Sequence, residues 1–169
     1  MRKILLPEER LYKELNIKAC NSRRKRELIL LRSSDSPDKI PAIMINSFQP
    51  GTYVTPHRHP ADGREFFCIL SGQLKVIIFD EFGKIANVYR VSPNSTPMME
   101  IPGRTYHTVI AELPDSLIIE LYFGIYKPET YKQFSKWAPQ ESQKDFFKNK
   151  EYLQSLLDKV NSFEHNLKS

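Results

Sequence analysis

The chain is predicted to be an all-β barrel or sandwich with a helix at its N-terminus and a helical extension at its C-terminus. Three observations predict it. Between Ile40 and Phe123, short runs rich in isoleucine, valine, tyrosine and phenylalanine alternate with turn residues, and no helical repeat intervenes; strands of an antiparallel sheet are spaced this way. Residues 6–20 and 141–163 instead repeat apolar positions at three- and four-residue intervals, the period of a helix with one buried face. Three of the four histidines fall in two patches, Gly51–Glu65 and Pro102–His107, so any chemistry is concentrated inside the β region.

Taken in order, Pro7 suits a first helical turn, Glu8 and Glu9 complement the N-terminal dipole, and Leu11 and Leu15 share a face with Cys20 nearby. The basic run Arg23-Arg24-Lys25-Arg26 reads as a solvated helix end or turn, with an anion-facing role as the alternative. Glu27–Arg32 is an apolar stretch of strand length, and Ser33–Asp38 is a loop. The expected strand runs are Ala42–Phe48, Tyr53–His57, Glu65–Leu70, Leu74–Phe79, Lys84–Val91, Met98–Ile101, His107–Ala111 and Leu117–Phe123. Asp80–Gly83 fits a hairpin turn, glycine supplying the positive φ. Tyr126–Pro139 reads as ordered loop or short helical turns covering the barrel, with Trp137 as a packing anchor of that lid and a substrate platform as the alternative. The helix at 141–163 carries Phe146, Phe147, Leu153, Leu156, Leu157, Val160 and Phe163 on its repeat. This divides the chain into 1–39 (helix and basic segment packing on the barrel), 40–125 (the barrel with its site) and 126–169 (lid and terminal helix).

A strand points residues i and i+2 to one face, so a strand through His57 and His59 aims two imidazoles at one point. Glu65 and His107 begin two further strand-like runs. Three imidazoles and one carboxylate meeting in a barrel would hold a divalent transition metal, Fe, Mn, Zn, Ni or Co. The plain alternative is that the histidines are surface strand residues and Glu65 a satisfied polar group.

The order Gly51, His57-x-His59, Glu65, Gly72 resembles the first motif of the cupin superfamily, and Pro102–His107 resembles the second. A narrower resemblance is to the WbuC family of cupin-fold metalloproteins. It is carried by Pro50–His59, Glu65–Gly72, Val76–Asp80, Glu100–Pro102, Tyr106–Val109, Gly124–Pro128 and Lys136–Pro139, and it spans about Ser22 to Glu141. The resemblance implies a cupin jelly-roll β-barrel with His57, His59, Glu65 and His107 as metal ligands. It also implies a context of bacterial surface polysaccharide (O-antigen or capsule) and a homodimer. Two departures stand out. One extra residue separates His59 from Glu65, and Arg104 occupies the place where the second motif has glycine. If that place needs a positive φ, Arg104 is strained.

Around the four ligands, Thr105 shares the parity of His107 and is a candidate for lining the pocket. Glu120 and Tyr122 share one face of the last strand; Glu120 either accepts a hydrogen bond from a ligand imidazole or faces solvent. Cys68 alternates away from Glu65 and reads as a small buried hydrophobe.

Composition bounds the rest. At 169 residues, 40% hydrophobic and 27% charged, the chain has enough apolar material for one core. The net charge is +5, but no nucleic-acid motif accompanies the basic run. No segment approaches the roughly 20 apolar residues of a membrane span. Pro7-Glu8-Glu9 interrupts the short apolar start, and two distant cysteines make no disulfide framework. The expectation is a cytoplasmic protein whose partner is a small, sugar-derived molecule, with no nucleic acid or membrane involved. No catalytic acid/base pair is recognisable. An enzyme of isomerase, epimerase or oxygenase type and a non-catalytic small-ligand-binding or regulatory module therefore both fit.

Overall fold

The computed structural model describes residues 8–34, 40–141 and 146–167, the side chain of Phe146 excepted. Leu6 and Pro7 of the expected first helix, most of the Ser33–Asp38 loop and the start of the 141–163 helix lie outside the described residues.

Helix α1 (Glu9–Asn21) leads into ten strands: β1 (Arg26–Arg32), β2 (Ala42–Phe48), β3 (His57–Arg58), β4 (Arg64–Ser71), β5 (Leu74–Phe79), β6 (Ile85–Val91), β7 (Met98–Pro102), β8 (Tyr106–Ala111), β9 (Ser116–Phe123) and β10 (Gln133–Phe134). Helix α2 (Phe146–Asn166) follows. The strands form two five-stranded antiparallel sheets, ordered β1-β2-β9-β4-β7 and β10-β3-β8-β5-β6, the double-sheet jelly roll expected. Glu27–Arg32 is part of an edge strand, in register with β2 from Arg26↔Phe48 onward. The expected Tyr53–His57 strand is regular only at His57–Arg58. Before it, Pro56 has no N–H to pair, and the hydroxyl of Thr52 donates to the carbonyls of Lys25 and Gln49 instead of the chain laddering.

Each sheet buries its inner face against the other. Phe48, Phe67, Ile69, Leu74, Val76, Val109 and Ile118 fill one end of the space between them. The helices cover the outer faces. Leu15 of α1 packs on Ile45 and Leu117, while Leu153, Leu156 and Val160 of α2 pack on Ile77, Phe79 and Ile110. The helical period refines two sequence expectations. Ala19, four residues after Leu15, completes the buried face of α1, so Cys20 turns outward and is exposed. Phe147 is 77% exposed, away from the packed face of α2. On β4, Cys68 alternates away from Glu65 as expected but is half-buried on the outer face.

The Asp80–Gly83 hairpin forms as expected, the carboxylate of Asp80 accepting from the amides of Phe82 and Lys84 at 2.9 Å. Gly83 takes φ +86°, and a Cβ there would lie 2.6 Å from the indole of Trp137. That indole packs on Phe79 and Tyr106, which makes Trp137 the packing anchor of the lid. No described helix is long and apolar enough to cross a membrane.

Candidate metal centre

The cluster sits between the sheets at the end of the barrel opposite the apolar plug. His57 on β3 is in register with His107 on β8. Glu65 comes from β4 in the opposite sheet, in register with Tyr122 and Ile101. His59 follows β3 directly. One ligand atom from each of the four lies within 4.8 Å of every other. The side chains are at most 3% exposed, so these are not surface strand residues.

The local chain explains how they meet. Between His59 and Glu65, the longer Pro60–Gly63 segment closes as a turn, the Gly63 amide donating to the Pro60 carbonyl at 2.9 Å. Gly103 lies against this turn so closely that a Cβ would stand 2.2 Å from the carbonyl oxygen of Pro60 and 2.7 Å from that of Gly63. Glycine is therefore required one place earlier than in the cupin motif, for contact. Arg104 then takes φ +63°, the strained conformation expected, at a cost of about 1 kcal/mol, and its amide donates to the His59 carbonyl at 2.9 Å. That bond fixes the two motifs relative to each other. Arg58, between the two ligand histidines, points outward to Glu81 at 2.9 Å and lies over the Tyr106 ring.

The protonation pattern follows from the hydrogen bonds. Nδ1 of His57 lies 3.0 Å from the Thr55 carbonyl, Nδ1 of His59 2.7 Å from that of Tyr131, and Nδ1 of His107 2.9 Å from that of Thr105. A carbonyl only accepts, so each Nδ1 carries the proton and each neutral ring presents the Nε2 lone pair inward. Nε2 of all three rings and Oε2 of Glu65 are buried without a hydrogen-bond partner. Oε2 of Glu65 is 3.0 Å from Nε2 of His107 and 3.3 Å from that of His59, yet neither contact aligns as a hydrogen bond. Four orphaned buried polar atoms converging on one point are costly unless something binds them. They are the donor set a transition-metal ion requires.

Electrostatics agree with that donor set. Burial, then the charge of Lys132 and the nearness of His107, hold His57 well below the usual histidine range, so it stays neutral. Burial opposes ionisation of Glu65, and its carboxyl falls well below the usual range through positive charge and N–H donation from the His59 and His107 rings, the part a bound cation would take over with those rings neutral.

Of the surrounding candidates, Thr105 contributes its carbonyl to His107, and its side chain is half-buried. Tyr122 is buried, its ring 4.9 Å from that of His59 and its phenol pushed up to about 12 by burial. Glu120 lies beside the Glu65 carboxylate rather than on an imidazole. It is buried, not solvent-facing, and the imidazoles use backbone carbonyls in its place. Asn46 donates to its Oε2 at 3.0 Å, while Oε1 has no partner. Burial first, and the charge of Glu65 second, push its carboxyl well above the usual range.

Sequence reasoning did not reach Asn46, Tyr131 or Lys132. Asn46 had a signal, a polar residue on the inward parity of Met44 and Phe48. Tyr131 acts through a carbonyl, which no residue type advertises. Its segment closes over the centre as a strap. Phe134 pairs with His57 across β10–β3, the Ser135 amide donates to the Pro56 carbonyl at 2.9 Å, and the Glu141 amide donates to the hydroxyl of Thr55 at 2.8 Å. Two members of the basic run hold its end, with Nε of Arg24 2.5 Å from the Glu141 carboxylate and the Arg26 guanidinium paired to its other oxygen.

Comparison with known proteins supports this reading of the fold. A family model described as a domain of unknown function (DUF6016) matches residues 8–91, a span that holds His57, His59 and Glu65 and ends before His107. No curated protein matches the chain. Protein SO0799 of Shewanella oneidensis is similar in structure, with a TM-score of 0.54 at 10% identity over 78% of this chain and 84% of that one. CapF of Staphylococcus aureus, a capsular polysaccharide assembling protein, gives 0.51 at 18% identity over 64% of this chain and 32% of that longer one. An RmlC-like cupin protein from Desulfovibrio desulfuricans overlaps less, at 0.46 and 17% identity over 58% and 81% of the two chains. At these identities the likeness is one of fold. The chain is a double-sheet jelly roll, and it encloses a buried three-histidine, one-glutamate cluster fit to hold a metal ion.

Proposed function

We propose that this chain is a metal-binding cupin whose ion, held by His57, His59, Glu65 and His107, takes up a small carbohydrate-derived molecule through its oxygens. The observation that carries this is the fixed tautomer of all three rings, which leaves four buried ligand atoms facing one another without partners. A bound ion would act as a Lewis acid, polarising a carbonyl or hydroxyl oxygen. The protein's own part is to keep the three imidazoles neutral and oriented, to keep Glu65 ionised, and to exclude water beneath the strap. The carbohydrate context, that of surface polysaccharide metabolism, rests on the WbuC-like motifs from Ser22 to Glu141. The reading includes a cytoplasmic homodimer: β1 and β7 end the first sheet with no further strand beside them among the described residues, and a second copy would cover such an edge.

A second reading, a binding module without turnover, fits the same four buried side chains. Purification without chelator, followed by elemental analysis, tests the shared claim: about one transition-metal ion per chain supports it, and a chain that stays metal-free after supplementation removes it. Incubation of the loaded protein with sugar nucleotides and sugar acids, Fe(II) and oxygen present, separates the readings. Product formation marks an enzyme, and thermal stabilisation alone marks a module.

A further inference from the structure

The basic run between α1 and β1 has exposed side chains on a backbone that is tied to the barrel. The Lys25 amide donates to the Ser22 carbonyl at 3.1 Å, and the Lys25 carbonyl accepts from the Gln49 amide at 2.8 Å and from the hydroxyl of Thr52. Lys25 itself takes φ +55°, a left-handed conformation that a residue with a side chain adopts only at a cost. The turn therefore holds its charges in one place. Beside it, on the side of the barrel that α2 covers, lies a cleft of about 920 Å³, the size of a small-molecule site. Arg23, Arg24 and Lys25 line it from the turn, Lys150 from α2, and Phe134 and Glu141 from the strap.

The charges that line this cleft do not balance. Among the described residues, four cationic side chains face one carboxylate, Glu141, and that carboxylate is already held by Arg24 at 2.5 Å and by Arg26. Lys25 donates to the carbonyl of Cys20 at 2.7 Å, a neutral acceptor that does not offset its charge. Pro50, Leu153 and Phe134 add an apolar wall, and the Phe134 ring is 51% exposed. Arginine and lysine bind phosphate oxygens by charge-assisted bonds, and an exposed aromatic ring beside them can stack on a flat base. We infer that this cleft is a second binding site, outside the barrel, for a nucleoside diphosphate, its phosphates on the basic turn and Lys150 and its base against Phe134. The inference goes beyond the metal-binding reading and does not depend on it, since none of the four clustered side chains lines the cleft.

Titration calorimetry of the full-length chain tests this, with chelator present so that no phosphate is held through a metal ion. The probes are ADP, UDP, adenosine and pyrophosphate. Wild type should bind at least one of the two nucleotides, about tenfold or more tightly than adenosine or pyrophosphate, as for one charge-assisted contact or one stacked ring. Lys25→Gln combined with Lys150→Gln removes two exposed charges. It should leave the unfolding temperature near that of wild type and weaken nucleotide binding by about tenfold or more. Lys25→Arg with Lys150→Arg should keep most of the affinity. Should the double glutamine variant not fold, Lys150→Gln alone, at an exposed position of α2, is read in the same way with a smaller loss expected. No nucleotide binding by wild type at millimolar concentration overturns the inference, as does pyrophosphate binding as tightly as the nucleotide. A folded glutamine variant that binds as wild type does overturns it too.

Discussion

The two ends of the barrel interior are built by the same strands and are chemically opposite. Along β8 the inward positions run His107, Val109, Ala111; along β4 they run Glu65, Phe67, Ile69; along β9 they run Tyr122, Glu120, Ile118; along β2 they run Met44, Asn46, Phe48. Two or three residues of strand, at roughly 3.3 Å each, separate a cluster of unpartnered polar atoms from a packed apolar plug. The plug's residues have every neighbour they need and contribute by burial. The cluster's residues have fixed orientations and missing partners. One end stabilises the fold, and the other carries a polar cost that a bound ion would relieve.

Breaking each end separately should show this division, and the largest effect belongs to the plug. Ile118→Ala, at a position with no exposure, should lower stability by about 2–5 kcal/mol in denaturant unfolding, with metal stoichiometry unchanged. His107→Ala should do the reverse. Metal affinity should fall by more than about 100-fold, beyond what loss of an orienting partner costs, while metal-free stability falls less than in I118A. Titration calorimetry and unfolding curves read the two quantities independently.

Glu120 sharpens the contrast, because it lies two residues from Ile118 on the same face. Its folded-state pKa is raised, so its stability contribution is present below the unfolded carboxylate value and is lost as pH rises. Glu120→Gln should therefore stabilise the metal-free protein above about pH 4.5, with an advantage that grows by up to about 1.4 kcal/mol per pH unit until the folded-state carboxyl ionises. Unfolding midpoints between pH 5 and 8 measure it, and an advantage that shrinks with pH would contradict the assignment.

The smallest effect is expected at the strap. Glu141→Ala releases the end held by Arg24 and Arg26 and should cost about 1–2 kcal/mol. Amide exchange at Ser135 should quicken by about tenfold for each 1.4 kcal/mol, while the plug's amides stay protected.

The apolar half was legible in the sequence through strand periodicity, and the four clustered side chains through periodicity together with the Gly51–Gly72 and Pro102–His107 motifs. Alternation marks which residues of a run point inward, and the glycines and prolines around His57, Glu65 and His107 mark where runs begin. Arg104 was legible too, since a non-glycine residue at a positive-φ place declares its strain. What alternation does not carry is register between distant strands. The Asn46–Glu120 bond, the nearness of Glu120 to Glu65 and the pairing of β10 with β3 all depend on it. The carbonyls of Thr55, Thr105 and Tyr131 that fix the imidazoles are common to every residue type, so they left no trace. The basic run read as a solvated turn because its counter-charge, Glu141, lies 117 residues from Arg24.

The central claim is that four side chains from distant parts of the chain share one cation, and crystallographic anomalous scattering at the absorption edge of the co-purified metal tests it most directly. The account predicts one peak per chain at about 2.0–2.2 Å from Nε2 of His57, His59 and His107 and from a carboxylate oxygen of Glu65. A peak held by other residues, or none in protein grown with the metal, would contradict it.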